Sequence, residues 1–301
     1  MLSISRRELL KQASMLPAAA ALGTLTAQAV KPGSVASAGW SWEGHGFTGG
    51  AGLSIFGVGE GARYWGLKKA FHMWRQSDEL GMGKLGFCDE VICEVSKTRP
   101  IRCGDYCIQT HYDPKLPVLL EEVKIAAHLS LGHPNITGVY IDDTLGKGKP
   151  SSLKPDQYQT VHETLTKINP KLKLWALVFA TQLAKESFTD YLPNMDVINL
   201  WIWNADDLRE VERNVEKCRE VFPDKPINLG CFLWDFPSMK FSKGNFVKGR
   251  AVPMEGLKNQ WERIPKWLES GHITGYSILA AFLIDAAQEQ ARWIRDFIAA
   301  N

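Results

Sequence analysis

Asp142 and Asp143 stand side by side at the end of the apolar run Gly138-Val-Tyr-Ile141. Asp235 follows Trp234 at the end of a second such run, Asp285 follows Ile284, and Glu60 follows Gly59. Trp201, Trp203 and Trp234 occupy the same kind of position. Paired carboxyls around a cavity with indole walls suit the cleavage of glycosidic bonds. One protonated carboxyl can donate to the leaving oxygen while a second, ionised, acts as base or nucleophile. Their pKa values must be pushed apart, and neighbouring carboxylates do this by mutual repulsion. An indole offers a flat apolar face and a polar N–H, suited to the C–H face of a sugar. The chain holds 11 tryptophans, more than a core of this size demands.

Period-two alternation indicates which of these side chains share a cavity. With Val139 and Ile141 facing outward, Gly138, Tyr140 and Asp142 face inward. Ile198, Leu200 and Ile202 likewise oppose Asn199, Trp201 and Trp203. This reading gives Asp142, with Asp143 beside it, the acid/base or nucleophilic role, and makes Asp235 the partner across the cavity. Trp201, Trp203 and Trp234 form the sugar platform, with Tyr140, His111, Glu60 and Asp285 as further substrate contacts. Plainer roles compete. An aspartate at a strand end often only caps the next helix, which applies to Asp143 and Asp285, and Trp201 and Trp203 could be core layers.

Such residues act together only if strand ends converge. Buried strands are expected at Leu53–Val58, Gly86–Val95, Asp105–Thr110, Gly138–Asp142, Lys173–Ala180, Asp196–Trp203, Ile227–Trp234 and Thr274–Ile284. Helical spacing falls at Ala62–Gln76, Leu116–Leu131, Pro155–Ile168, Lys185–Leu192, Asp206–Val221, Met254–Ser270 and Ala287–Ala299, and a Gly/Lys-rich loop follows Trp234. About eight strands joined mostly by helices require parallel pairing with right-handed crossovers. The expected fold is α/β, a single (β/α)8 TIM-type barrel over residues 53–301, with active groups where strands end.

The 301 residues are 45% hydrophobic and 23% charged, which excludes fibrous, disordered and multi-span membrane classes. Without the first 29 residues, which hold Arg6, Arg7 and Lys11 against Glu8, basic and acidic residues are equal in number. A neutral chain has no electrostatic footprint for nucleic acid or an anionic membrane. Ala13–Ala29 is mildly apolar, is broken by Pro17 and Gly23, and ends in Ala27-Gln28-Ala29, a small-x-small cleavage pattern. It is too short and interrupted to be an integral membrane segment. Residues 30–52, rich in Gly, Ser and Ala, read as a poorly ordered leader. Of six cysteines, Cys218 and Cys231 fall in core positions, while Cys103 and Cys107 bracket Gly104-Asp105-Tyr106 and are the best placed for a bridge.

Two resemblances add to this. Residues 1–29, with Arg6-Arg7 followed by leucines and Lys11, resemble a twin-arginine export signal. That implies the twin-arginine translocase as a partner and a periplasmic or extracellular destination for a bacterial protein exported folded. The stretches Gly138–Asp143, Asp196–Trp203, Leu229–Asp235 and Gly275–Asp285 resemble exported glycoside-hydrolase-like barrel proteins of bacteria, from about Pro114 to the C-terminus. This implies an oligo- or polysaccharide substrate and no cofactor. The chitinase-type D-x-x-D-x-D-x-E pattern is absent, so the substrate-assisted mechanism does not carry over.

A rival motif lies at Gly57-Val-Gly59-Glu-Gly61-Ala62, a G-x-G-x-x-A dinucleotide fingerprint if it follows a strand and opens a helix. It would make the protein an NAD(P)-dependent sugar oxidoreductase. The ribose-binding acid should then end a strand about twenty residues on, whereas Asp78 and Glu79 fall in helical or loop sequence. A non-catalytic carbohydrate-binding barrel is the third reading. The seven histidines show no metal-binding spacing, and no G-x-S-x-G elbow is present.

Overall fold

Alternating aromatic and small residues in Gly39-Trp-Ser-Trp42 form the first strand, β1 (Gly39–Trp42). Trp42 stacks on Phe71 at 4.2 Å between ring centroids, and Trp40 meets Phe71 at 5.2 Å and Trp175 at 5.1 Å. The computed structural model describes residues 34–42, 55–73, 77–96, 99–102, 108–111, 115–142, 153–183, 188–242, 245–279 and 283–301. Within these, β1 is followed by α1 (Val58–Trp65), β2 (Lys69–His72), α2 (Glu79–Lys84) and β3 (Glu90–Glu94). Then come β4 (Arg99–Arg102), β5 (Ile108–His111), α3 (Leu116–Gly132), β6 (Ile136–Ile141), α4 (Pro155–Ile168), β7 (Lys173–Phe179) and β8 (Val197–Trp201). The chain continues with α5 (Val211–Val221), β9 (Ile227–Phe232), β10 (Trp234–Ser242), β11 (Asn245–Ala251), α6 (Met254–Trp261), α7 (Ile264–Glu269), β12 (Gly275–Leu279) and α8 (Gln288–Ala300).

Eight parallel strands close into a barrel in the order β1-β12-β9-β8-β7-β6-β3-β2. Each strand therefore pairs with the next barrel strand in the chain, and β12 returns to β1 with Gly39 opposite Tyr276. The fold is the expected TIM-type barrel. Two strand positions differ from the sequence reading. The described part of Leu53–Val58 is no strand: residues 55–57 are irregular and α1 starts at Val58. Its place belongs to β1, inside the stretch read as a leader, so residues 34–42 are part of the barrel. The described part of Asp105–Thr110 is not a barrel strand either. Ile108–His111 pairs antiparallel with β4 in a separate hairpin, and the barrel position is taken by Lys69–His72, which had read as helix. The physical cause is Gly66, which ends α1 in the left-handed conformation (φ 71°) and releases the chain into β2.

Other differences are local. The Gly/Lys-rich loop is a second hairpin, β10–β11. Met254–Ser270 is two helices, broken before Ile264-Pro265. Lys185–Leu192 lies partly outside the described residues, and its described part is not α-helical. Cys218 and Cys231 are buried thiols, as are Cys88 and Cys93, while Cys103 and Cys107 lie outside the described residues.

Some polar groups inside the barrel are paired, while Asn199 Nδ2 and Asn228 Oδ1 are buried with no hydrogen-bond partner among the described residues. At the lower rim Lys69 Nζ meets a Glu90 oxygen at 2.6 Å. At mid-height the Asn228 amide donates to Asn199 Oδ1 (3.0 Å) and Ser277 Oγ (3.1 Å), with all three residues buried. Above them the interior is aromatic.

Candidate active site

The carboxylate that ends β6 is tied into a chain of hydrogen bonds. The Tyr140 hydroxyl donates to Asp142 Oδ1 at 2.8 Å. The Asp142 N–H donates to Ser96 Oγ at 2.8 Å, and that hydroxyl donates to Glu94 Oε1 at 3.0 Å. Glu94 ends β3 opposite Tyr140 in the parallel register and is 1% exposed. Ser96 thus links the carboxylate that ends β3 to the backbone of the residue that follows β6. A buried carboxylate is costly unless hydrogen-bonded, and Ser96 supplies that bond. Asp143 lies outside the described residues.

Tyr140 is fully buried, with its ring edge-on to Trp42 (4.7 Å, 84°) and to Phe71 (5.7 Å, 81°). Only its hydroxyl takes part in the site. Trp42 also meets Trp201 (4.8 Å, 81°), and Trp201 meets Phe232 (4.6 Å). Trp201 is 1% exposed and forms a core layer, accommodated because a Cβ at Gly230 would overlap its indole. Trp203 stands one layer higher and is 43% exposed. It stacks on Phe236 of β10 (5.2 Å, 16°) and meets Phe179 (5.8 Å) and Phe232 (5.5 Å) edge-on. A continuous aromatic path therefore runs from Tyr140 beneath Asp142 to an open indole at the rim. Trp234, half-buried, starts β10.

Asp235 is buried, and its Oδ2 accepts from Arg250 Nε at 2.9 Å across the β10–β11 hairpin. Arg250 also reaches Asp206 at 3.5 Å, and its backbone N–H donates to Ser238 Oγ, which itself donates to the Asp235 carbonyl. Hydrogen bonding to Asp235 holds the guanidinium above its ordinary pKa. This carboxylate anchors the hairpin, and its Oδ1 is buried with no hydrogen-bond partner among the described residues.

Glu60 lies in the first turn of α1, where its Oε2 accepts from the Gly57 N–H at 3.1 Å and meets Lys84 at 3.2 Å. Burial would raise its pKa, but hydrogen bonds from backbone N–H groups and the Lys84 ammonium outweigh that and hold it below the usual value. Asp285 accepts from the Ile55 N–H at 3.0 Å and does not cap α8, whose N-cap is Ala287. His111 ends β5, opposite Arg99 in the hairpin outside the barrel. The structure thus brings Tyr140 and Asp142 into one network, and Trp201 and Trp203 into one aromatic path. Glu60 and Asp285 are engaged by other groups. Glu94 and Ser96 are additions, and the signal for Glu94 was an acid closing the strand sequence Glu90-Val-Ile-Cys-Glu94, two positions beyond the inward-facing Ile92.

The dinucleotide fingerprint loses its context. Gly57 caps α1 without a strand immediately before it, and Asp78 uses its side chain to cap α2 by accepting from the Gly81 N–H at 2.7 Å. Among the described residues no group of three or more His, Cys, Asp or Glu side chains is placed to hold a metal ion.

No protein-family model and no curated protein sequence matches the chain. Solved structures do. A candidate α-L-fucosidase from Bacteroides thetaiotaomicron superposes with a TM-score of 0.57 at 9% identity, over 91% of this chain and 96% of that one. A glycoside hydrolase-like protein gives 0.53 at 8% identity, over 90% and 96%. A β-D-glucuronidase from Dictyoglomus thermophilum gives 0.50 at 12% identity, over 81% of this chain and 46% of that one. The chain shares the closed (β/α)8 barrel of these structures. At these identities the likeness is one of fold alone.

Proposed function

We propose that the protein is an exported carbohydrate-active enzyme that hydrolyses glycosidic bonds at the C-terminal face of the barrel. The observation that carries this reading is Asp142, presented at the end of β6 with its Oδ1 fixed by Tyr140 and its backbone fixed by Ser96. A general acid or nucleophile must be held within reach of the scissile oxygen or the anomeric carbon, and a two-point hold on a strand end provides this. Asp142, with Asp143 beside it, acts as acid/base or nucleophile. Asp235, fixed by Arg250, contributes negative charge that favours an oxocarbenium-like transition state. Trp203, open at the rim and braced by Phe236, stacks on the C–H face of a sugar, and Trp234 is a second platform residue. The barrel superposes on a candidate fucosidase and on a glycoside hydrolase-like protein, a likeness of fold that accommodates this reading.

Burial of Glu94 and the Asp235–Arg250 pair favour a second reading, a carbohydrate-binding barrel whose carboxylates shape the cleft without turning over. One experiment separates the two. The purified protein is screened on polysaccharides and aryl glycosides, with reducing ends and saturable binding both recorded. Release of reducing ends supports the enzyme, and binding without release supports the binding module.

A further inference from the structure

Glu94 is buried at the C-terminal end of β3, beside the strand that leads to Asp142. Its side chain faces the barrel interior, because Ile92, two residues earlier, lies 3.1 Å from where a Cβ of Gly138 would stand. A carboxylate is costly there, and a serine hydroxyl needs no charge to be satisfied, since a backbone carbonyl accepts from it as well. Stability alone gives no reason to place a glutamate opposite Tyr140. The strand ladder supplies one. The Val95 N–H donates to the Tyr140 carbonyl at 2.9 Å, and a parallel ladder continued by one step would bring the Asp142 N–H to the Val95 carbonyl. The Ser96 hydroxyl accepts that N–H instead, at 2.8 Å. A serine hydroxyl has one proton and two lone pairs, so it turns a lone pair to Asp142 only when its proton is drawn elsewhere. Glu94 Oε1 draws it, at 3.0 Å.

We infer that Glu94 is a positioning residue for Asp142, acting through Ser96. It orients the serine O–H, the serine lone pair then holds the Asp142 backbone just past β6, and Tyr140 holds the carboxylate itself at Oδ1. The inference rests on the hydrolase reading above and adds to it the buried group that sets where Asp142 stands. With 1% of its surface exposed, Glu94 does not touch the sugar, and its effect passes through one hydroxyl. A carboxylate accepts such a bond more strongly than a neutral oxygen. Misplacing a reacting group by about 1 Å costs on the order of 10²-fold in rate, which gives the charge its use.

Ser96→Ala, Glu94→Met, Glu94→Gln and the double variants Ser96→Ala/Glu94→Met and Ser96→Ala/Glu94→Gln test it in the purified protein. Two quantities are read: hydrogen exchange of the Asp142 N–H by NMR of aspartate-labelled protein, which needs no substrate, and kcat and KM on the aryl glycoside that the screen above identifies. Ser96→Ala and Glu94→Met should each speed the exchange about tenfold and lower kcat about tenfold with KM unchanged. Glu94→Gln keeps the shape and an acceptor oxygen, so both effects should shrink to about threefold. Each double variant should match Ser96→Ala, since a residue that acts only through Ser96 has nothing left to act on. The Gln cycle carries the test if Glu94→Met does not fold. Unchanged Asp142 exchange in the Glu94 variants overturns the inference, as do faster exchange with unchanged kcat and losses that add in the double variants, the mark of a merely structural Glu94. Faster exchange in a protein that cleaves no glycoside would sink the hydrolase reading and leave the Glu94–Ser96 hold standing. Cleavage that no Glu94 variant alters would do the reverse.

Discussion

Tyr140 gives its ring to the core and its hydroxyl to the site. The ring packs on Trp42 and Phe71, while the hydroxyl fixes Asp142 Oδ1. Tyr140→Phe separates the two roles, because phenylalanine keeps the packing and removes only the hydrogen bond. A hydrogen bond to a charged group is worth about 1.5–3 kcal/mol, so turnover should fall about tenfold or more, while the melting temperature drops by only several degrees. Equal turnover would remove Tyr140 from the site. Asp196, just before β8, allows a test by pH. Burial alone would raise its pKa, but the hydrogen bonds from His162 and the Leu174 N–H, with the charges of His162 and Lys173, hold it below the ordinary carboxylate value. A lowered folded pKa means that the unfolded chain binds the proton more tightly. The stabilisation is therefore present above the ordinary value of about 3.9 and is lost as pH falls through the folded value. Asp196→Asn should cost about 1–2 kcal/mol at neutral pH and progressively less below about pH 4, as read from thermal melts across the acid range.

At the scale of elements, the strands β6 to β9 and β12 were legible because each is a continuous apolar run bounded by turn residues. β1 and β2 were not, being four residues each. The alternation of Gly39-Trp-Ser-Trp42 is lost in a Gly/Ser-rich neighbourhood, and Lys69-Ala-Phe-His72 continues a helical spacing that Gly66 interrupts. Tertiary packing, chiefly Trp42 on Phe71, decides both. The part of the site borne on one strand was likewise legible: Tyr140 and Asp142 follow from alternation alone. The Asp235–Arg250 pair was not, because it bridges fifteen positions through a hairpin that reads as a loop. Glu94 was passed over because Leu80–Tyr112 has no clear period. Element geometry also makes a prediction at Gly230 of β9, where any Cβ would overlap the Trp201 ring. Gly230→Ala must push Trp201 and Phe232 upward and should destabilise by about 1–3 kcal/mol, measured by urea unfolding. A variant as stable as the parent would show that this aromatic layer is loosely held.

For the whole molecule, the barrel's closure places every strand end on one face, which lets single residues from β3 and β6 meet and an aromatic path cross from Trp42 to Trp203. The proposed destination of the chain is tested separately from its chemistry. Changing Arg6-Arg7 to a lysine pair should leave the precursor in the cytoplasm, and unchanged export of that variant in cell fractions would reject the twin-arginine signal. No helix among the described residues is long and apolar enough to cross a membrane. The central claim is that Asp142 carries chemistry at the barrel mouth, and turnover of a cleaved glycan or aryl glycoside by Asp142→Asn tests it most directly. The side chain keeps its shape and loses its charge, so reducing-end release should fall by about 10²–10⁴-fold while the melting temperature holds. Wild-type turnover in Asp142→Asn, and equally in Asp143→Asn, would contradict the account and return both aspartates to the role of caps.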